Sequence, residues 1–338
     1  MTPVKMMIMF SIALTLFLAI LPHLLWLLGW CIGKFFHHSL PYAPFGWTTI
    51  GIVVACWLLL AYGFFVGRWQ VQTSRITYTN PEIPNSFDGT RIVHISDFHL
   101  GTFDDNPQQL QKFVDSINAQ HPDIICFTGD LVTMGLQEAE PYTDILRQLR
   151  ATHGIYSVLG NHDFLIYSRD FANEEARNQA VEDLARFERE TLGWHLLRND
   201  NHAIVNETGD TLTIIGVDNT NCANQGFQTI NRGDLPKAMA GAGGFCVLLS
   251  HDPSHWTAEV LPRTNIPLTL SGHTHAAQVK LFGWTPAKLS FKETDGRYDH
   301  GSQTLYINIG LGCTAPFRIG ANPEVTVIKL QSTKSTKK

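Results

Sequence analysis

The sequence predicts an α/β domain with a largely parallel core, carried on an N-terminal helical hairpin that spans a membrane. Three observations carry this reading. Two uncharged apolar runs, residues 6–33 and 46–67, stand near the start of the 338-residue chain. Beyond residue 90, short apolar runs of strand character alternate with amphipathic stretches of helical period, the pattern of a mainly parallel sheet. Five of those apolar runs lead directly into Asp, Asn or His, at the strand ends where open α/β sheets collect their ligands.

The run 6–33 holds no Asp, Glu, Lys or Arg and is rich in Leu, Ile, Met, Phe and Trp. It exceeds the roughly 20 residues a bilayer-spanning helix needs. The apolar region of a cleaved signal peptide is about 7 to 15 residues long, so the run is read as a retained span, with Pro22 a point of kinking. The second run ends at Arg68 and is again of spanning length. Joined by the short loop 34–45, the two helices make a membrane anchor over residues 1–72. Lys5 and the terminal amine fall on the same side as Arg68 and Arg75, whereas the loop carries only Lys34 with His37 and His38. The positive-inside bias therefore places the C-terminal domain in the cytoplasm.

Residues 73–89, with Pro81, Pro84 and the Asp88-Gly89 turn signal, read as a linker. The catalytic domain is expected over residues 90–330, a length sufficient for one core. Strands are predicted over 91–96, 124–128, 155–159, 246–250 and 268–271, and helices over 108–119, 142–150 and 173–190. The last helix would bury Ala180, Leu184 and Phe187 on one face. Residues 331–338, with Lys334, Lys337 and Lys338, read as a solvated basic tail. A net charge of −5 argues against a nucleic-acid partner. Of the six cysteines, Cys31 and Cys56 lie in the membrane runs, and Cys126 and Cys246 lie in strand-like stretches. No spacing suggests a disulfide framework.

The strand-like runs lead into Asp97-Phe98-His99, Gly129-Asp130, Gly160-Asn161-His162-Asp163, His251 and Gly272-His273-Thr274-His275. Carboxylate, amide and imidazole donors without thiolate make a mixed oxygen and nitrogen site, which suits Mn, Fe or Zn better than a Cys-ligated structural zinc. The expected chemistry is metal-assisted hydrolysis at phosphorus. Singly, the fragments are weak: Asp-x-His is common by chance, a lone histidine after an apolar run is ordinarily packed, and Gly-Asp is often only a turn. Gly-Asn-His-Asp and Gly-His-Thr-His are rarer, and the ordered set carries the reading. A carboxylate can bridge two cations about 3.5–4 Å apart and leave room for a shared hydroxide as nucleophile, so no side-chain base is required. A histidine that is not a ligand is suited to protonate the leaving oxygen. His162 is assigned that role, with Asp163 as the orienter of its ring.

In these motifs, and in Ser-Asp-Phe-His-Leu-Gly at 96–101, Leu-Ser-His-Asp-Pro at 249–253 and Leu-Ser-Gly-His-Thr-His at 270–275, the chain resembles the calcineurin-like metallophosphoesterases over residues 91–330. It looks closest to their membrane-anchored bacterial branch. The resemblance implies two packed β-sheets flanked by helices, an α/β/β/α sandwich with a dinuclear centre at the strand ends. It implies that Asp97, His99 and His275 hold one divalent metal, that Asn161, His251 and His273 hold the other, that Asp130 bridges them and that His162 stands over the pair. Mn is the first choice of metal, with Fe and Zn feasible. Some members of the branch are similar to UDP-2,3-diacylglucosamine pyrophosphatases of the cytoplasmic leaflet. The expectation is therefore hydrolysis of a phosphodiester or pyrophosphate by in-line attack of a metal-bridging hydroxide, on a phosphorylated small molecule or a membrane lipid, at a bacterial inner membrane. The rival is a protein or small-molecule phosphomonoesterase. Related protein phosphatases carry Asp-Arg-Gly after the second motif and Arg before the third, where this chain has Thr133-Met134-Gly135 and Leu159. A non-catalytic scaffold would ordinarily have lost ligands, and no ligand position is missing.

Outside the motifs, Arg318 in the Gly-rich segment 310–320 is a candidate to reach a substrate phosphate bidentately. Gly310 and Gly312 would let that loop pass close to the metals. His94 reads as a packed strand residue, His255 lacks a matching acidic partner, and His153, His195, His202 and His300 read as surface or turn residues. Specificity is expected from residues 164–170, the helical insert and the loops 219–233 and 282–298.

Overall fold

The computed structural model describes residues 3–103, 106–226 and 228–333. Two long helices come first, α1 (Pro3–Phe35) and α2 (Ala43–Phe65). The helical run of α1 continues through Pro22. The apolar spans within this hairpin are Ile8–Phe35, 28 residues, and Ala43–Trp69, 27 residues. At about 1.5 Å per residue each exceeds the roughly 30 Å of a bilayer core. Their lipid-type side chains, among them Leu16, Phe17, Leu21, Leu28 and Leu58, face outward. The helices are tied by a hydrogen bond from Trp57 Nε1 to Thr15 Oγ1 at 2.6 Å, and Trp26 Nε1 donates to the Leu40 carbonyl at 3.2 Å.

Among the described residues twelve strands follow: β1 (Gln72–Asn80), β2 (Arg91–Ile95), β3 (Ile124–Phe127), β4 (Ile155–Ser157), β5 (His195–Leu196), β6 (Asp200–Val205), β7 (Thr211–Gly216), β8 (Phe245–Leu249), β9 (Leu268–Ser271), β10 (Gly296–His300), β11 (Gln303–Ile307) and β12 (Glu324–Ser332). They form two six-stranded sheets, ordered β1-β12-β2-β3-β4-β5 and β10-β11-β9-β8-β7-β6. Within the first, β2, β3, β4 and β5 are mutually parallel; within the second, β7, β8, β9 and β11 are. The alternation of strand side chains splits the core into layers. Ile92, Ile124, Cys126, Val158, Ile214, Val247, Leu249, Leu270 and Ile328 fill the space between the sheets. The opposite face of the first sheet, with Val93, Ile95, Ile125 and Phe127, packs on Leu110, Phe113, Val114 and Ile117 of helix α3 (Pro107–Asn118) and on Val181, Leu184 and Ala185 further along. Ile215, Leu248, Leu305 and Ile307 turn to the other outer side, against Trp256 and Val260. The result is the expected four-layer sandwich.

Several expectations are corrected here. Residues 73–89 are not simply a linker: β1 pairs in parallel with β12 along its whole length, from Gln72 with Glu324 to Asn80 with Ser332. The prolines fall just past its end. The helix expected over 142–150 shortens to α4 (Thr143–Leu146). That over 173–190 becomes α5 (Glu174–Arg186), capped by the Asn173 side chain accepting from the Ala176 amide at 2.8 Å, and continues as a wider turn to Thr191. Its buried face centres on Val181, Leu184 and Ala185, with Ala180 half-exposed. Strand β12 runs into the expected tail as far as Ser332, and Lys334, Lys337 and Lys338 lie outside the described residues.

Candidate metal centre

Each of the five motifs occupies the turn that leaves a strand's carboxyl end: Asp97 and His99 after β2, Asp130 after β3, Asn161 and His162 after β4, His251 after β8, His273 and His275 after β9. Because neighbouring strands run parallel, these ends gather at one edge of each sheet, and the two edges face each other. The turns are sharp. Asp97, His99, Asp130, His273 and His275 have φ between +45° and +74°, a left-handed conformation that costs a non-glycine residue about 1–3 kcal/mol and concentrates at functional sites. It is held by cross-links such as Asp97 N to the Gly129 carbonyl at 2.8 Å, His99 N to the Asp130 carbonyl at 3.1 Å and Gly272 N to the His251 carbonyl at 3.0 Å.

All seven expected donors converge. His99 Nε2 lies 3.1 Å from His275 Nε2, 3.8 Å from Asp97 Oδ1 and 3.5 Å from Asp130 Oδ2, and His275 Nε2 lies 3.3 Å from Asp97 Oδ1. On the other side, His251 Nε2 lies 3.1 Å from Asn161 Oδ1, 3.2 Å from His273 Nδ1 and 3.2 Å from Asp130 Oδ2. Asp130 Oδ2 is thus common to both sets. These separations match the edges of coordination polyhedra whose bonds are about 2.0–2.2 Å long. Asp97 Oδ1 is fully buried with no hydrogen-bond donor, an orphan that a cation satisfies. The residues therefore fit two divalent ions.

At His251 and His273 the second ring nitrogen is engaged elsewhere, which fixes the tautomer with the ligating nitrogen inward, and the second carboxylate oxygens of Asp97 and Asp130 are held as well. His251 Nδ1 donates to the Thr128 carbonyl at 2.6 Å. His273 Nε2 donates to Gln225 Oε1 at 2.9 Å, and Gln225 Nε2 in turn donates to Asp252 Oδ2 at 2.6 Å, leaving His273 Nδ1 for a metal. Asp97 Oδ2 accepts the His273 amide at 3.0 Å, and Asp130 Oδ1 accepts the His162 amide at 2.8 Å. Asn161 is oriented by its Nδ2, which donates to the Tyr167 hydroxyl at 2.9 Å; that hydroxyl donates to the Gln228 carbonyl at 2.6 Å.

Burial pushes the His99 and His275 imidazoles well below their usual range and His273 down to about 4. The three are neutral at physiological pH, the form that ligates. Burial also raises Asp97 to about 6. At Asp130 burial works against ionisation, but His251 and His162 outweigh it and hold the carboxylate well below the usual range. His251 is raised to about 10, since the Asp130 carboxylate overcomes the burial penalty.

His162 is half-buried, with its ring edge-on to His99 at 4.7 Å and beside Tyr167 at 4.4 Å. Its Nδ1 donates to the Thr133 carbonyl at 3.0 Å. That carbonyl, not Asp163, orients the ring. Asp163 instead accepts three backbone amides, from Asp130 at 2.7 Å, Gly160 at 2.9 Å and Val132 at 3.2 Å, and ties the second and third motif turns together. Burial, with Asp130 nearby, lifts its acid to about 7. Arg318 is also corrected. It is fully buried and its donors go to the carbonyls of Gly312, Ala321 and Ile309, with Nη2 3.0 Å from His275 Nδ1. Fully buried among these acceptors, it is not exposed to a substrate phosphate. Gly312 behaves as expected: a Cβ there would lie 1.8 Å from the Phe98 carbonyl oxygen, and one on Gly310 would lie 2.7 Å from Asp97 Cβ.

Among the other histidines, His94 is packed and bonded to Thr128 Oγ1 at 3.0 Å, and burial lowers it to about 3. His255 has the acidic partner that its sequence context does not reveal, Glu259 Oε2 at 3.2 Å. Tyr167, Gln225 and Asp252 are the residues sequence reasoning misses. Each lay in a segment the sequence marks, Tyr167 in 164–170, Gln225 in the loop 219–233 and Asp252 in the motif 249–253, but nothing there gave its role. The donors open on a cavity of about 460 Å³ whose far wall is apolar, with Phe10 of α1, Pro286, Ala287, Phe291 and Phe317.

Comparison with known proteins supplies the family. Residues 90–277 match the family described as calcineurin-like phosphoesterase. The metallophosphoesterase YkuE of Bacillus subtilis is 30% identical over 281 residues, 80% of this chain and 90% of its own length. A transmembrane protein with metallophosphoesterase domain from Danio rerio is 27% identical over 292 residues, 84% of this chain and 62% of its own length. The UDP-2,3-diacylglucosamine pyrophosphatase LpxG of Chlamydia trachomatis is 27% identical over 330 residues, 83% of this chain and 98% of its own.

Proposed function

The chain belongs to the calcineurin-like phosphoesterase family and is a metal-dependent phosphoester hydrolase; from that premise we propose that it cleaves a phosphodiester or pyrophosphate bond of a membrane lipid. The observation that carries the reaction is the convergence of seven donors into two sets that share Asp130 Oδ2. Asp97, His99 and His275 are assigned to one cation and Asn161, His251 and His273 to the other, with Asp130 between them. Two divalent cations, when bound, supply Lewis acidity and a nucleophile generated from water at neutral pH. Manganese is the first choice, and the donor set is equally compatible with iron or zinc.

The chain's own groups do the rest. Thr133 holds the His162 ring so that Nε2 faces the cavity, where it gives a proton to the departing oxygen. Gln225 with Asp252, and Tyr167 at Asn161, keep the donors in their productive orientations. A lipid substrate is supported by the two spans and the apolar far wall of the cavity, together with the similarity to the UDP-2,3-diacylglucosamine pyrophosphatase of Chlamydia. We place the enzyme in a bacterial inner membrane with its catalytic domain in the cytoplasm. The test is turnover by the full chain in lipid nanodiscs with Mn, comparing a nucleotide-diphosphate lipid, a water-soluble diester and a monoester. A higher kcat/KM for the lipid pyrophosphate or a lipid diester is expected. Equal values for soluble and lipid substrates would remove the lipid assignment, and preference for the monoester would overturn the bond class.

A further inference from the structure

Among the described residues of the catalytic domain, one surface is out of keeping with a water-facing protein. The segment after β9 makes a tight hairpin in which Leu281 and Trp284 exchange backbone hydrogen bonds at 2.9 and 3.0 Å, so that Phe282 and Gly283 form its tip. Both tip residues are left-handed, with φ of +51° and +79°. Two-residue turns of this kind ordinarily place Asn or Asp before the glycine, because a short polar side chain tolerates the conformation. Here a phenylalanine bears the strain while fully exposed, beside exposed Leu281, Trp284 and, at 82%, Leu289. Folding does not explain it at Phe282 and Leu289, whose side chains bury little, while Leu281 and Trp284 are about half exposed.

Position does explain it. The base of the hairpin is stitched to the segment 317–320: Lys280 N donates to the Ile319 carbonyl at 2.8 Å, and Ile319 N to the Gln278 carbonyl at 2.9 Å. That segment lies on the last turn of α2, where Arg318 N donates to the Gly63 carbonyl at 3.2 Å, and Phe317 meets Phe10 of α1 with ring centroids 6.1 Å apart. The hairpin therefore projects beside the end of both spanning helices. Its other arm, Pro286 to Phe291, forms with Phe10 the apolar wall of the metal cavity. From Val260 to Lys292 the sequence contains no Asp or Glu, and Lys280, Lys288 and Lys292 flank the apolar tip, the first paired with Asp295 and the third beside Glu293. Aromatic side chains bounded by lysines are what a leaflet boundary selects.

We propose that the hairpin Leu281–Leu289 is a membrane-penetrating element that sinks Phe282, Trp284 and Leu289 into the leaflet entered by α1 and α2. The mouth of the metal cavity then lies at the lipid surface, and a phosphorylated lipid reaches the donors without leaving the bilayer. The proposal deepens the lipid reading given above but rests on the anchoring helices and the hairpin alone.

The experiment reads depth and needs no turnover, so its failure is distinguishable from failure of the enzymatic assignment. A solvatochromic fluorescent amino acid replaces Phe282 in the full chain, reconstituted in nanodiscs of phosphatidylethanolamine and phosphatidylglycerol. The control position is Glu207, exposed in the turn between β6 and β7, at the amino end of β7 and so on the sheet edge opposite the one that carries the metal donors. Quenching by lipids carrying a nitroxide on the acyl chain should exceed that at Glu207 by at least about twofold, with a blue-shifted emission. The same probe in place of Leu289, on the opposite arm, should give the same result without touching the strained tip. Probes at both positions quenched only by a water-soluble quencher, as at Glu207, would overturn the proposal. A blue shift without lipid quenching would assign the surface to a second protein chain and equally overturn it.

Discussion

Asp130 spends each carboxylate oxygen differently: Oδ1 accepts the His162 amide, and Oδ2 faces donors from both sheets. Removing the group deletes the one oxygen common to the two donor sets, so Asp130→Ala is expected to lose both cations and turnover, measured by elemental analysis beside steady-state kinetics. Normal metal content and activity would contradict the bridging assignment. His162 stands apart, held by a carbonyl and half-open to the cavity. His162→Ala should keep the metals while lowering kcat by on the order of 10², the scale of a positioned proton donor. Loss of both metals in that variant would make His162 a ligand. At this scale the seven donors are legible because each follows an apolar strand and chemistry requires clustered hard and borderline ligands. What each donor's second atom does is not legible. Adjacency suggests Asp163 as the orienter of His162, yet three amides claim its carboxylate, and no spacing announces that Gln225 reaches His273 across 48 residues.

Elements fix where these residues stand, and their interiors carry costs the motifs do not reveal. Arg318 looks like a loop arginine in sequence, but the segment 309–321 folds around it, so that one planar cation satisfies carbonyls from Ile309, Gly312 and Ala321 and meets His275. The missing information is burial, which a Gly-rich loop conceals because its backbone supplies the acceptors. Glu188, in the wide turn after α5, is another buried ionisable group outside the donor set. Ser157 Oγ donates to its Oε2 at 2.6 Å, while Oε1 has no partner. Burial, reinforced by Asp163, raises this acid from 4.5 to about 8. The folded chain thus binds the proton more tightly than the unfolded chain. The stabilisation is present in full below the unfolded value and is lost as pH rises through about 8. Between about pH 5 and pH 9 the parent should therefore lose stability relative to Glu188→Gln in paired thermal melts, and the variant should melt higher than the parent at pH 9. An unchanged slope would show that Glu188 does not hold the proton.

For the whole molecule, anchor and catalytic domain are joined without a spacer. Prolines at 81 and 84 suggest a linker, but Thr73, Ile76, Thr77 and Thr79 are β-branched residues in a strand-length run, and the nine residues of β1 lock onto β12. The signal was local, whereas its partner lies some 250 residues away, which is why pairing could not be read from the sequence. Arg68 is likewise absorbed at the junction. It is buried, its Nε donates to the Phe64 carbonyl at 2.8 Å, and its guanidinium stacks on Phe64 and Trp69 at 4.3 Å. The charge that suggests orientation is partly spent inside the fold, and Lys5 and Arg75 remain exposed on the domain side against Lys34 on the other. The hairpin geometry adds an independent constraint, because Phe10 and Gly63 both meet the segment 317–319, so the start of α1 and the end of α2 share the domain's side. Orientation then reduces to one choice, and the lysine and arginine balance favours the cytoplasm. Protease added to sealed spheroplasts should leave the catalytic domain intact, with digestion appearing only after lysis; cleavage of the domain in sealed cells would reverse the orientation and place the cavity mouth on the outer leaflet.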